Sequence, residues 1–279
     1  MPFTYQDQIE AIKQKGCNVE DDDFCLEVLK NIGYYRLSAY FLPFKKDQQT
    51  NIKFTFNNVC RLYEFDRELR NLLFKTIEVV EVKARTVFSH YFAFKYGALG
   101  YENDEAFNSY FDREKFDEII KSQIDNNKKR LFVKHHLEKY EGKFPIWVLM
   151  ELFTFGMLSK FYSDLHTSDK KEISKLFNTN YKKLGSWLRC STDLRNVCAH
   201  YDRLYFKIFA ARPRGLELHG QEQFRLWGQI VMLKNLYPYK DKWNSYFVTN
   251  LQAIMNEYNS NIDLRHIGFP DNWFEVLKW

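Results

Sequence analysis

The segment RNVCAHYDR, which begins at Arg195, concentrates polar side chains that can act on a phosphodiester. Residues four and seven positions apart lie on one face of an α-helix. From Asn196 that face carries His200 and Arg203, and Arg195 and Asp202 form a second row beside it. Arg195 lies about 140° around the helix from His200, so only its long side chain could reach the imidazole. The pattern predicts an amphipathic helix with a polar face of functional type.

These residue types suit the cleavage of RNA without a metal ion. Attack of a 2′-hydroxyl on its own phosphate needs one proton removed and another delivered to the leaving 5′-oxygen. Histidine exchanges protons near neutral pH, and such general acid–base help contributes about 10²–10⁴ in rate. Arginine offers a fork of donors to phosphate oxygens, and asparagine can orient the imidazole. Because DNA lacks the 2′-hydroxyl, the expected substrate is RNA.

The spacing of the arginine and the histidine is a weak signal by itself. Chance gives roughly one match in a chain of this composition, and the same interval separates Arg85 from His90, Arg130 from His135 and Arg214 from His219. The interpretation of Arg195 and His200 as catalytic therefore needs support from the residues around them. We expect Val197 and Tyr201 to face the core, one turn apart, so that the polar row lies on the opposite side.

Other catalytic designs fit the sequence less well. Cys198 lies two residues before His200, which is the wrong separation for contact on a helix, and its apolar neighbours suit a buried thiol. His135 and His136 are adjacent, so their side chains would point about 100° apart on a helix. No H-E-x-x-H motif is present. We therefore expect neither a cysteine nucleophile nor a metal or other cofactor.

Helix signals dominate the rest of the chain. Thr4 is a candidate N-cap and Gly16 a candidate C-terminal residue of a first helix. Residues 57–96 include no Gly or Pro, and the apolar spacing within them predicts one or two long helices. The remaining helices are expected over residues 21–33, 34–44, 112–141, 145–165, 168–178, 181–206, 219–235 and 239–258, with a short C-terminal helix in PDNWFEVLKW.

These elements predict one all-α domain over residues 1–279. It would contain a small helical N-terminal subregion at 1–50 and a main bundle at 57–260. No strand followed by a Gly-rich turn and a helix occurs, so the sequence offers no place for a nucleotide-binding loop of that kind.

The composition is that of a folded protein in a reducing compartment. Of the 279 residues, 45% are hydrophobic and 18% aromatic, which argues against disorder. The net charge of +5 permits a polyanionic partner without requiring one. The five cysteines show no C-x-x-C spacing, and no window is apolar over the length of a membrane span. We expect a cytoplasmic protein without a membrane partner.

Five stretches, in order, resemble the motifs of Abi proteins, the abortive-infection family of AbiD/AbiF type. RNVCAHYDRLY is similar to the family signature LRN-x-C-A-H-x-x-R. The other four similar stretches are QIEAIKQKG, IGYYRLSAYFLPF, FDRELRNLLFKTIEVVEVKART and FPIWVLMELFTFGMLSKFYSDL. Together they cover about residues 5–210. Two positions depart from the family pattern: Tyr201 stands where a second histidine is common, and Thr154 replaces a serine.

The resemblance implies a divergent HEPN domain, which is an all-α helical bundle. It implies a metal-independent endoribonuclease that leaves 2′,3′-cyclic phosphate ends, in bacterial anti-phage defence or as a toxin. Carried over by position, Arg195, Asn196 and His200 are the expected catalytic residues. HEPN sites are usually composite across a dimer, so one strong motif per chain implies a homodimer. The expected partners are substrate RNA and, in some systems, a non-coding RNA.

Three further residues are expected to support this site. Arg203 and Asp202 would do so from the same helix. Glu151 lies in an otherwise apolar stretch, where a buried carboxylate without a partner is costly, so we expect it to be paired.

Some alternatives remain open at this point. RTVFSH could be a second half-site formed by Arg85 and His90, or Arg85 could be structural and pair with Glu81 or Glu151. The whole protein could also be a non-catalytic RNA-binding or regulatory protein on the same scaffold. An antitoxin-like interaction module is a third interpretation.

Overall fold

A computed structural model describes residues 3–47, 51–218 and 220–279 of the chain. Within these residues the secondary structure is helical, and extended pairing is limited to two isolated β-bridges, Asn18 with Thr55 and Phe107 with Leu165. The predicted all-α fold class is confirmed. None of the described helices combines the length and the apolar character needed to cross a membrane.

The helices vary widely in length. In chain order they are α1 Tyr5–Gln14, α2 Asp22–Ile32, α3 Tyr34–Ser38, α4 Leu42–Lys46, α5 Phe56–Tyr96, α6 Arg113–Asn127, α7 Leu131–Lys139, α8 Ile146–Leu149, α9 Phe155–Asp164, α10 Thr167–Lys175, α11 Tyr181–Ala199, α12 Leu226–Leu236, α13 Lys240–Lys242, α14 Thr249–Glu257 and α15 Trp273–Leu277. Short 3₁₀ turns cover Ala39–Phe41, Gly100–Glu102, Asp104–Ala106, Met150–Leu152, Gly220–Phe224 and Leu264–Ile267, and Trp243–Val248 is π-helical.

The chain folds into two compact units. The first comprises Met1–Thr76, Leu194–Arg212 and Leu216–Trp279, and the second comprises Ile77–Asp193 and Pro213–Gly215. The RNVCAHYDR segment therefore belongs to the first unit, whereas the RTVFSH segment belongs to the second. The single-domain organisation expected from the sequence stays a prediction, as does a HEPN-like arrangement of the helices.

The core of the first unit includes α12, which is buried nearly throughout. Eight of its eleven residues are buried, as is typical of a central helix. Gly228 permits a close approach, because a Cβ at this position would lie 3.0 Å from the carbonyl oxygen of Glu222. Further core residues come from the first half of α5 and from α14, among them Phe65, Leu69 and Leu251.

The core of the second unit is rich in aromatic rings. Phe88 and Phe92, one turn apart on α5, face α9, where Phe88 stacks on Tyr162 with ring centroids 5.5 Å apart. Phe92 meets Phe161 edge to face at 5.2 Å. Such pairs stabilise a core beyond the area that they bury.

The local helix signals in the sequence are confirmed at several ends. Thr4 and Asp7 form a reciprocal capping box at the start of α1, and Gly16 follows that helix with a φ of 84°. Asp21 caps α2. The stretch without Gly or Pro forms a single helix of 41 residues, α5.

Two long predicted helices are each divided in two. The stretch 145–165 breaks between α8 and α9 because Thr154 caps α9, with its hydroxyl accepting the N–H of Met157 at 3.3 Å. Threonine at this position therefore performs the capping that a serine would. The charged stretch 112–141 divides into α6 and α7.

Two other predicted boundaries are wrong. The apolar stretch 34–44 is expected to stop at its proline, but Pro43 lies in the first turn of α4, where its missing N–H costs nothing. The helix predicted over 181–206 ends at Ala199. The start predicted for the helix 219–235 lies at His219, which is outside the described residues, and α12 begins later, at Leu226.

Candidate active site

Helix α11 ends immediately before the histidine of the motif. The N–H of Tyr201 donates to the carbonyl of Cys198 at 3.3 Å. The N–H of Asp202 donates to the carbonyl of Val197 at 2.9 Å. These two bonds form a Schellman motif, in which Tyr201 adopts the left-handed conformation with a φ of 59°. His200 is consequently the C-cap residue of α11.

Two of the three predicted catalytic side chains lie one turn apart at the end of α11. Asn196 and His200 are both exposed, and the N–H of His200 donates to the carbonyl of Asn196 at 2.9 Å. The predicted continuation of this face to Arg203 is wrong, because the helix ends at Ala199. Tyr201 is also exposed, contrary to its expected place in the core.

Arg195 lies on a neighbouring face of the same helix. It is half-buried, and its guanidinium lies 5.9 Å from the centroid of the Phe74 ring. That distance is near the limit of a cation–π contact. Within the described residues, no side-chain hydrogen bond joins Arg195, Asn196 or His200 to one another. Their joint action would therefore require a substrate that all three contact.

A buried carboxylate on α5 holds the chain that follows the motif. Asp66 is completely buried and accepts a hydrogen bond from the hydroxyl of Tyr40 at 2.8 Å. It also accepts the backbone N–H groups of Leu204 at 2.8 Å and of Tyr205 at 2.7 Å. Complete burial raises the pKa of the Asp66 carboxyl, and Arg70 and the backbone donors act in the opposite direction.

Arg70 connects this carboxylate to the end of the motif. Its Nη1 lies 2.9 Å from Asp66, 3.3 Å from the hydroxyl of Tyr40 and 3.2 Å from the carbonyl oxygen of Asp202. Burial acts to lower the pKa of Arg70, but the charge of Asp66 together with the contributions of Tyr40 and Tyr63 outweighs it and raises the pKa above its ordinary value. The Asp202 side chain is exposed, so its structural link is through the backbone.

A second arginine binds the backbone of Tyr201, the residue in the left-handed conformation. The exposed Arg36, on α3, donates from Nη1 to the carbonyl oxygen of Tyr201 at 2.9 Å. Charged donors of this kind stabilise the carbonyl end of a helix, where partial negative charge accumulates. The backbone from Tyr201 to Tyr205 is therefore held by Arg36, Arg70 and Asp66.

Arg203 points into the interior rather than toward His200. Its Nη1 is buried and has no hydrogen-bond partner among the described residues. Burial lowers the pKa of Arg203, against the effect of the nearby Asp66 and Tyr40. The guanidinium thus adds a buried positive charge near Asp66. The prediction that Arg203 shares an exposed face with Asn196 and His200 is wrong.

The residues that support the motif were not predicted from the sequence. Tyr40 and Arg36 lie in the stretch YYRLSAY, and Asp66 and Arg70 lie in FDRELR. Both stretches resemble family motifs, and the polar residues within these motifs could have indicated a supporting role. The structure brings three separated motifs together in one network.

A second polar chain leads from the same segment to the C-terminal region. The hydroxyl of Tyr205 lies 2.8 Å from Nδ1 of His266, and Nε2 of His266 lies 2.7 Å from Asp47. Burial lowers the pKa of His266, against its hydrogen bond to Asp47. Asp47, Asp263 and His266 have ligand atoms within 4.8 Å of one another and could hold a cation, but Arg265 already pairs with both carboxylates.

In the second unit the RTVFSH segment does not assemble into a comparable site. Arg85 donates from Nε to the carbonyl of Met150 at 2.8 Å, and from Nη2 to Glu81 at 3.0 Å and the carbonyl of Phe153 at 2.9 Å. His90 is exposed instead, with its ring against Phe94. These contacts support the structural interpretation of Arg85, whose hydrogen bonds stabilise the segment between α8 and α9.

Two other sequence expectations can be compared with the structure. Glu151 is exposed, so the prediction that it needs a partner in an apolar helix is wrong. The helix is interrupted by a 3₁₀ turn at Met150–Leu152, and the turn directs this carboxylate to solvent. Cys198 is buried, and burial raises the pKa of its thiol to about 12, which disfavours the thiolate a nucleophile requires.

Comparison with known proteins gives one match. A family model described as "Abi-like protein" matches residues 27–206, which is more than half of the chain. The matched region contains Arg36, Tyr40, Asp66, Arg70 and the RNVCAHYDR segment. No curated protein and no solved structure matches the chain.

Proposed function

Because the chain belongs to the Abi-like protein family, we propose that it is a metal-independent endoribonuclease. Its biological role would be bacterial anti-phage defence by abortive infection, or a toxin function. The observation that carries the proposal is the end of α11. There an exposed His200 and an exposed Asn196 occupy one turn, and the backbone just beyond them is fixed by a buried ion pair.

The proposed reaction uses the side chains at this end of α11. The 2′-oxygen of a ribose attacks the adjacent phosphorus while its proton passes to a base, and the bond from phosphorus to the 5′-oxygen breaks. His200 acts as the base or as the acid that protonates the 5′-oxygen. Arg195 and the exposed Arg36 hold the phosphate charge, and Asn196 orients the imidazole. The products are a 2′,3′-cyclic phosphate and a 5′-hydroxyl.

A homodimer would supply the second proton-transfer group. Two proton transfers are needed, and each chain contributes one exposed histidine at this helix end. His266, also described in the first unit, is buried and already bonded to Tyr205 and Asp47. We therefore propose a composite site in which the ends of α11 from two copies face each other. Such a site would also account for the absence of side-chain hydrogen bonds between Arg195, Asn196 and His200 in the part of the chain that the structure describes.

The deciding experiment compares three proteins on mixed cellular RNA in the presence of EDTA. These are the wild type, His200→Ala and His135→Ala, a control in which an exposed histidine with the same spacing from an arginine is removed. We expect cutting by the wild type and the control, and loss of at least about 100-fold in His200→Ala. The ends produced should be cyclic phosphates. Equal cutting by all three would exclude the proposed role of His200.

One observation favours a non-catalytic alternative. Because Arg195, Asn196 and His200 have no mutual hydrogen bonds among the described residues, the same surface could bind RNA without cutting it. In that case the wild type and His200→Ala would bind single-stranded RNA equally and neither would cleave it. Removal of Arg36 or Arg195 would then weaken binding in both backgrounds.

A further inference from the structure

Tyr201 occupies a backbone position that ordinarily takes glycine. Its φ of 59° lies in the left-handed region, where the Cβ of an L-residue crowds the following carbonyl. Glycine is the usual residue at this place in a Schellman motif, and this chain uses Gly16, with a φ of 84°, after α1, although Glu141, Asn178 and Phe206 also have a positive φ. A tyrosine here is unfavourable for the backbone.

Packing does not explain the tyrosine either. Its side chain is 67% exposed. In the part of the chain that the structure describes, its ring makes no aromatic contact and its hydroxyl no hydrogen bond. A bulky ring held at an unfavourable φ, directly after an exposed His200, indicates a role outside the folding of the chain.

A second exposed ring belongs to the helix that binds Tyr201. Tyr35, on α3, is 92% exposed, and the next residue, Arg36, donates to the carbonyl of Tyr201. The length of one arginine side chain therefore sets how far α3 lies from the end of α11. The Arg36–Tyr201 bond therefore brings α3, with the exposed Tyr35, to the same end of α11 that carries Arg195, His200 and Tyr201.

These groups have the composition of a site for an unpaired nucleotide. Proteins recognise single-stranded RNA by stacking its bases on aromatic rings while basic side chains follow the phosphates. We propose that Tyr201 and Tyr35 form a base-stacking subsite that holds an unpaired nucleotide next to the phosphate cut at His200. The inference rests on the proposed ribonuclease function and deepens it, since it makes single-stranded RNA the substrate class.

Five variants separate this role from an effect on folding. Tyr201→Gly and Tyr201→Asn remove the ring and place residues that tolerate the left-handed conformation. Tyr201→Phe retains a ring, and Tyr35→Ala removes the second ring from an exposed position. Tyr110→Ala is the matched control, because Tyr110 is 88% exposed and lies in the second unit. The Tm of Tyr201→Gly should be unchanged or higher by up to about 4 °C.

Binding is measured in the His200→Ala background, with a labelled single-stranded RNA of about 12 nucleotides and with inorganic polyphosphate. The ringless variants at position 201 should lose roughly 5-fold to 150-fold in affinity for the RNA, the effect of removing one stacking residue. Tyr35→Ala should lose affinity in the same way. Tyr201→Phe and Tyr110→Ala should bind as their parent does. Polyphosphate, which has charge but no bases, should bind equally to all.

The outcomes distinguish the inference from the function on which it rests. If the wild type cuts RNA, and loss of the ring changes neither RNA binding in the His200→Ala background nor RNA cutting in the wild-type background, the subsite is excluded and the nuclease function stands. If the wild type neither binds nor cuts RNA, both the base-stacking subsite and the ribonuclease function are excluded. If loss of the ring changes the sedimentation mass but not the RNA affinity, the tyrosines belong to an interface between copies and the inference is wrong.

Discussion

Asp66 accepts the backbone N–H of Tyr205 at 2.7 Å, although 139 positions separate the two residues along the chain. The same carboxylate pairs with Arg70, which reaches the carbonyl of Asp202. One buried ion pair on α5 therefore sets the path of the backbone immediately after His200. The position of the imidazole depends on a residue that has no role in its chemistry.

Replacing Asp66 should destabilise the protein strongly. In Asp66→Asn the guanidinium of Arg70 stays buried without its counter-charge, so we expect the free energy of unfolding to fall by about 3–5 kcal/mol. Urea denaturation measures this change. Glu68→Gln is the control, since Glu68 lies on the same helix but pairs at the surface, and it should cost less than about 1 kcal/mol. Similar losses in both variants would contradict the importance of the buried pair.

Arg85 and His90 should respond differently to substitution if Arg85 is structural. Arg85→Met removes hydrogen bonds to two backbone carbonyls and to Glu81, so we expect a loss of roughly 1–3 kcal/mol in the free energy of unfolding. His90→Ala should leave both stability and RNA cleavage unchanged. Denaturation and cleavage are measured on the same preparations. Loss of cleavage in a stably folded His90→Ala protein would instead establish a second half-site.

The cap of α9 is testable by a pair of substitutions. Thr154→Ala removes the hydroxyl that accepts the N–H of Met157, and it should lower the free energy of unfolding by about 1 kcal/mol. Thr154→Ser retains the hydroxyl and should be close to neutral. Thermal denaturation of the two variants beside the wild type gives the difference. A serine variant as unstable as the alanine variant would show that the methyl group, and not the cap, matters here.

The stability of the second unit should depend on acid pH through Asp169. Burial acts to raise the pKa of this carboxyl, but hydrogen bonds from Lys95, Tyr96 and Tyr91 outweigh it and hold the pKa below its ordinary value of 3.8. A lowered pKa in the folded state stabilises the protein at pH values above that ordinary value, and this contribution is lost as the pH falls through the folded pKa.

The comparison is between the wild type and Asp169→Asn in urea, from neutral pH down to about pH 3. We expect the variant to be less stable at neutral pH by roughly 1–3 kcal/mol and the difference to shrink as the pH falls. Asp271→Asn, at an exposed position, should follow the wild type. A difference that stays constant with pH would mean that the Asp169 charge does not stabilise the fold.

The sequence by itself determined the helical class, the long helical stretch of α5, the cap at Thr4, and the residues of the motif. These features could be predicted because helix propensity, capping and apolar spacing depend on residues a few positions apart. The chemistry available to His200, Asn196 and Arg195 is likewise a property of residue types. The match to the Abi-like family agrees with the motifs that carried this interpretation.

Only the tertiary structure decided where α11 ends and what surrounds its last turn. The sequence extended this helix to residue 206, and the helix ends at Ala199. The termination uses the left-handed Tyr201 together with bonds from Arg36, Arg70 and Asp66, which are distant in sequence. Contacts between distant residues leave no periodic signal in either segment. For that reason the inward turn of Arg203 and the exposure of Tyr201 could not be predicted from local pattern.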